Sequence, residues 1–176
     1  MCKRARLFAP AHPGVAASLI EPRATNPTTP ACVVTAMRQA TTIFAIDTRG
    51  PGLVEFTDRV AQWLAEQAVG EGLLTLFCRH TSASLLINEN AARAVRRDLE
   101  AYFARIAPED PRAYEHDDEG PDDMPAHLRT ALTGVSLSIP VIDGRLALGT
   151  WQGVFLFEHR ARPHRRQIVA HLLGDG

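Results

Sequence analysis

Hydrophobic and polar positions along this chain fall into short runs of differing period. The β-branched stretch TTIFAIDT, within residues 39–48, predicts a strand, and the RGPG after it predicts a turn through its glycines and proline. LVEF predicts a second strand. Val60, Trp63, Leu64 and Ala68 then recur at helical spacing, with Thr57 or Asp58 as the cap and Gly70 as the stop. Gly72 opens LLTLFCRH, apolar on both faces and so predicted to be central in a sheet, with His80 at its end. SASLLIN resumes as a strand. Asn88 or Asn90 caps a second helix whose stripe is Val95, Leu99, Tyr102, Phe103 and Ile106, with Arg93, Arg96, Arg97 and Glu100 facing outward. A long loop, Pro108 to Asp123, leads to a short helix, PAHLRTAL, for which Pro125 suits the first turn. VSLSIPVI and RLALGTWQGVFLFEHR read as strands around Asp143-Gly144, a strong two-residue hairpin signal, and RRQIVAHLLG closes the chain as another strand. The order ββ-α-ββ-α-loop-α-ββ-β predicts an α+β fold with two main helices and a short third.

Composition narrows the class. A length of 176 residues with 45 % hydrophobic and 22 % charged positions suits one globular domain with a real core. Residues 1–36 stand apart: they hold Pro10, Pro13, Pro22, Pro27 and Pro30, and set Lys3, Arg4, Arg6 and Arg23 against Glu21 alone. Such a segment sustains neither a helix nor a central strand, so a disordered or irregular extension is expected there and the folded domain over 37–176. The formal net charge of -1 gives no general attraction to nucleic acid or to an anionic membrane. Cys2, Cys32 and Cys78 are odd in number and free of CxxC spacing, which argues against a disulfide framework and a cysteine zinc cage and points to the reducing cytoplasm. No run approaches the ~18 apolar residues of a spanning helix.

Candidate chemistry gathers in three places. His80 sits where an apolar strand meets Thr81, Ser82 and Ser84, and imidazole with hydroxyls suits a phosphate, although a loop carbonyl could equally hold the ring. His116 and His127 flank an acidic loop with six carboxylates between Glu115 and Asp123. His116 with Asp117 and Asp118 offers donors for a divalent metal, His127 lies near a helix N-terminus, and a short excursion can bring both imidazoles together. Glu158 ends an apolar strand with Arg160 two residues on, while Trp151-Gln152 offers a flat wall and an amide. G-x-G-x-x-G, Walker and H-E-x-x-H patterns are missing, and the lack of G-x-S-x-G or a Cys/His signature counts against covalent catalysis.

RHTSASLLINEN, followed by VRRDLE and then by YEHDDEGPDDMPAHLRTALTGVSLSIPVIDGRLALGTWQGVFLFEHR, resembles the YjbQ family, the secondary thiamine-phosphate synthase family, from about Thr41 to Gly174. The resemblance implies a mixed, curled, barrel-like sheet and a homotrimer with sites near subunit boundaries. It also implies a histidine-based metal or anion site and a weak thiamine-phosphate synthase activity joining a pyrimidine pyrophosphate to a thiazole phosphate. Its polar positions fall on His80, Thr81, Ser82, Asn88, Glu89, His116, Asp117, Asp118, His127, Thr150, Gln152 and Glu158. On that footing His80, His116 and His127 are expected to hold a divalent ion, zinc or magnesium, or the pyrophosphate. Asp117 or Asp118 would orient them and Glu158 would hold a pyrimidine amine. Thr81, Ser82, Ser84, Asn88, Asp118, Thr150 and Gln152 are expected to bind a phosphorylated small molecule. Two other functions stay open: a metal-dependent hydrolase of a phosphorylated metabolite, and a trimeric binding protein without turnover.

Overall fold

Alternation of apolar side chains through Ile43–Ile46 places Phe44 and Ile46 inward and makes this stretch part of a long first strand. The computed structural model describes residues 36–175. Its elements are β1 (Met37–Asp47), β2 (Gly52–Glu55), α1 (Thr57–Ala65), β3 (Gly72–Cys78), β4 (Ala83–Glu89) and α2 (Arg93–Ile106). After a long loop come α3 (Asp123–Thr133), β5 (Ser136–Ile142), β6 (Arg145–Leu146), β7 (Gln152–Glu158) and β8 (Arg165–Asp175). The extension expected over residues 1–36 lies outside the described residues except at its last position.

The strands form a five-stranded sheet, β1-β8-β3-β5-β6, and a three-stranded sheet, β2-β7-β4. Curled together as a half-barrel with three helices, they give the α+β domain. Every ladder is antiparallel, where a mixed sheet was expected. Among the described residues only β5 and β6 are ladder neighbours joined by a two-residue turn; every other ladder pairs strands far apart in the sequence. The inner faces meet in one core: Leu74, Leu76, Ile139, Ile168 and Leu172 from the larger sheet, Leu85, Val154 and Leu156 from the smaller, and Val60 and Leu64 from α1.

The Asp143-Gly144 hairpin forms as expected, with φ of 50° and 71°, the paired left-handed conformation of a tight two-residue turn. The long strand expected after it is broken instead. β6 ends at Leu146, and Gln152 folds its Oε1 back onto the Gly149 N–H at 2.8 Å before β7 begins. α3, expected to be the short helix, has 11 residues against 9 in α1, and neither α1 nor α2 starts with a side-chain cap: Thr57 Oγ1 donates to Glu55, and Asn88 Oδ1 accepts from the Glu89 N–H. β3 is central by pairing but not covered on both sides, for Leu73 and Phe77 stand exposed beside Leu173, Ile43 and Ile142.

Candidate functional site

Asp123 opens α3 and His127 lies one turn later on the same face, so the carboxylate and the imidazole project together. The preceding loop returns His116 to them. Asp123 Oδ2 is 2.8 Å from His116 Nε2 and 3.2 Å from His127 Nε2, and the two rings lie 5.7 Å apart between centroids. One ligand atom from each residue falls within 4.8 Å of the others. Asp123 is buried and both rings are partly open to solvent.

The His127 ring is held by a bond of fixed polarity. A carbonyl oxygen only accepts, so Nδ1–H donates to the Thr81 carbonyl at 3.0 Å. In neutral His127 the remaining nitrogen, Nε2, then directs a lone pair at a carboxylate oxygen 3.2 Å away. Two acceptors facing each other need a proton or a cation between them. A ring with one N–H on a backbone carbonyl and its other nitrogen free is the usual orientation of a metal-binding histidine.

Arg160, just beyond β7, organises the acidic side of the cluster. Its Nη1 donates to Asp123 Oδ1 and, at 3.3 Å, to Glu119; Nε donates to Asp122 Oδ2 at 3.0 Å, and Nη2 to the Glu119 carbonyl at 2.9 Å. Burial works against ionising Asp122, but the Ala161 N–H at 2.8 Å and Arg160 outweigh it and hold the carboxyl below its ordinary value.

An open cavity of about 770 Å³ adjoins His127, walled by Phe77, Ala131, Val135, His80 and Thr130. His80 lines this cavity and stands apart from the cluster. Its Nε2 accepts the Gln167 N–H at 2.8 Å, which occupies that lone pair and puts the ring proton on Nδ1. Burial and the charge of Arg166 hold His80 below its ordinary pKa, in the neutral form.

Other expected site residues are placed differently. Glu158 is fully buried and accepts from Thr48 Oγ1 at 2.9 Å, Arg166 Nε at 2.7 Å, Arg166 Nη2 at 2.5 Å and the N–H groups of His159 and Arg160. With its acceptor sites filled it presents nothing to a ligand, and its side-chain partner is Arg166 rather than Arg160. Ser82 accepts from Arg166 at 3.2 Å, and Ser84 is wholly buried. There, hydroxyl protons can be counted. Thr133 Oγ1 donates to the Arg129 carbonyl at 2.7 Å, so Ser84 must donate to Thr133, across 2.6 Å, and His159 Nε2–H to Ser84, across 2.8 Å. Asp117 is exposed, and Asp118 lies 4.0 Å from His116 Nδ1. Asn88, Glu89 and Gln152 lie at the far end of the β4–β7 ladder, beside Trp151 and a cavity of about 540 Å³; Thr150 is exposed nearby. Five residue steps of that ladder separate Asn88, and six separate the Glu89↔Gln152 pair, from the Ala83↔Glu158 pair, about 17–20 Å at strand rise.

Asp123 is the member that residue type alone did not single out. The i,i+4 spacing of Asp123 and His127 around Pro125 was the available signal; Arg160 stood out only as a neighbour of Glu158, and its actual side-chain partners come from a distant loop.

Residues 42–175 match a family model described as UPF0047 protein YjbQ-like. The chain belongs to the YjbQ family. A UPF0047 protein of Synechocystis sp. is 51 % identical over 138 residues, covering 78 % of this chain and 94 % of that protein. The YjbQ protein of Escherichia coli O157:H7 is 46 % identical, covering 78 % and 98 %. Among solved structures, a YbjQ-like protein of unknown function from Sulfolobus solfataricus superposes with a TM-score of 0.73 at 26 % identity, covering 80 % of this chain and all of that one (100 %). No helix among the described residues of this YjbQ-family chain is long and apolar enough to cross a membrane.

Proposed function

We propose that His116, Asp123 and His127 hold a divalent ion and that the chain uses it on a phosphorylated small molecule. The orientation of His127 carries this reading: its N–H is committed to the Thr81 carbonyl while its free nitrogen faces Asp123 Oδ2. Two imidazoles with one carboxylate suit zinc better than magnesium, which prefers oxygen donors. Glu119, Asp122 and Asp123 also carry more negative charge than Arg160 offsets, a balance that a cation restores. Such an ion would neutralise the oxygens of a departing phosphate group.

The reaction proposed is the transferase step that the family resemblance implies: the carbon–oxygen bond to pyrophosphate breaks and a carbon–nitrogen bond to the thiazole forms. The cavity beside His127 would take the ring, with Phe77 and Val135 as apolar walls and His80 Nδ1–H as a donor. The homotrimer and the cytoplasmic location belong to the same proposal, the first supported by the exposed apolar outer face of the larger sheet and the second by the unpaired Cys78.

The test is zinc content of the full chain, with pyrophosphate release from both precursors together and from each alone. Zinc bound by wild type and lost in His127→Ala, with release only from the pair, is the expected result. Wild type that takes up no zinc after saturation refutes the site. Release from a single precursor would instead make the protein a hydrolase, and binding without release a non-catalytic binding protein.

A further inference from the structure

A carboxylate with two free oxygens can grip an ion through both or swing away from it. Asp123 has neither freedom, because Arg160 occupies Oδ1 and leaves Oδ2 as the atom facing both imidazoles. The same guanidinium holds Glu119 and Asp122, and so fastens the loop that carries His116 to the end of β7. Its own backbone is anchored in turn: the Arg160 N–H donates at 3.0 Å to Glu158, whose carboxylate pairs with Arg166 in the core. One residue therefore joins the core, through its backbone, to the loop and the first turn of α3, through its side chain.

We infer that Arg160 is a positioning residue of the ion site: it makes Asp123 a single-oxygen ligand and holds the His116 loop against α3. This rests on reading the cluster as an ion site. The planar fork matters as well as the charge, since Nη1 and Nε reach the adjacent carboxylates of Asp123 and Asp122 together, a span that a lysine ammonium does not reproduce.

The experiment compares full-length wild type, Arg160→Gln and Arg160→Lys, titrated with zinc against a chromogenic chelator and separately loaded with cobalt(II) for visible spectroscopy. Loss of an outer partner of this kind weakens metal binding by about 10–100-fold. Arg160→Gln should show that loss. Its cobalt absorption should also weaken, as Asp123 becomes free to bind through both oxygens and raises the coordination number. Arg160→Lys should fall between the two. Wild-type zinc affinity and an unchanged cobalt spectrum in Arg160→Gln would overturn the inference. Melting in EDTA checks that Arg160→Gln folds; if it does not, the cobalt spectrum of Arg160→Lys decides, and a wild-type spectrum there overturns the positioning role. A wild-type chain that binds neither ion removes the cluster reading itself, and this inference with it.

Discussion

His159 ties the stability of the fold to pH. The ring is 1 % exposed, lies with its centroid 4.3 Å from that of Phe157 at a 55° tilt, spends its only proton on Ser84 and has an unpartnered Nδ1. Burial, reinforced by the charge of Arg129, pushes its pKa from 6.5 down to about 3. The folded state thus refuses a proton that the unfolded chain accepts below about pH 6.5. Stability attached to this residue is complete above that pH and is lost as pH falls through the window toward about 3. The slope approaches about 1.4 kcal/mol per unit once pH is well below 6.5, so acidification from pH 6.5 to 4.5 should remove roughly 2 kcal/mol. Urea unfolding of metal-free wild type and His159→Gln, at intervals from pH 7.5 to 4.5, measures it. Glutamine can still donate to Ser84 but does not titrate, so its curve should lack this loss. Glu158 and Asp122, whose pKa values are held below the ordinary carboxylate range, add an acid loss shared by both proteins. Parallel curves for the two proteins would refute the reasoning.

Arg166→Met strands the buried Glu158 carboxylate and should cost about 3–5 kcal/mol in urea unfolding, with most of it recovered in the double variant Glu158→Leu/Arg166→Met; an equally unstable double variant contradicts the pairing argument. Leu73→Asp with Phe77→Asp places charge on the exposed outer sheet face and should shift the sedimenting mass from three chains to one. Wild type that sediments as a single chain denies the trimer.

Local patterns were legible wherever a local signal decides the outcome. β1 and the Asp143-Gly144 turn follow from β-branching and from positive φ, both properties of adjacent residues. β3 shows the limit: consecutive apolar residues placed it centrally, yet Leu73 and Phe77 are exposed, because composition cannot say what lies across an outer face. In the site, His116 and His127 stood out by residue type, whereas Asp123 was hidden among identical neighbours. Glu158 and Ser84 looked like ligand residues because they are polar and lie at strand ends. Their partners, Arg166 and His159, come from other strands or strand ends, and only the folded register reveals that these groups satisfy one another inside the barrel.

The donor chain from His159 through Ser84 and Thr133 ends on the Arg129 carbonyl, in the same helix as His127. It fixes the azimuth of α3, and Thr81 then fixes the torsion of the imidazole. A ring clamped about both axes has little rotational entropy left to surrender on capture of an ion. If the cluster takes an ion as proposed, its affinity would be set partly by buried hydroxyls, and replacing Ser84 or His159 should retune it without altering any ligand.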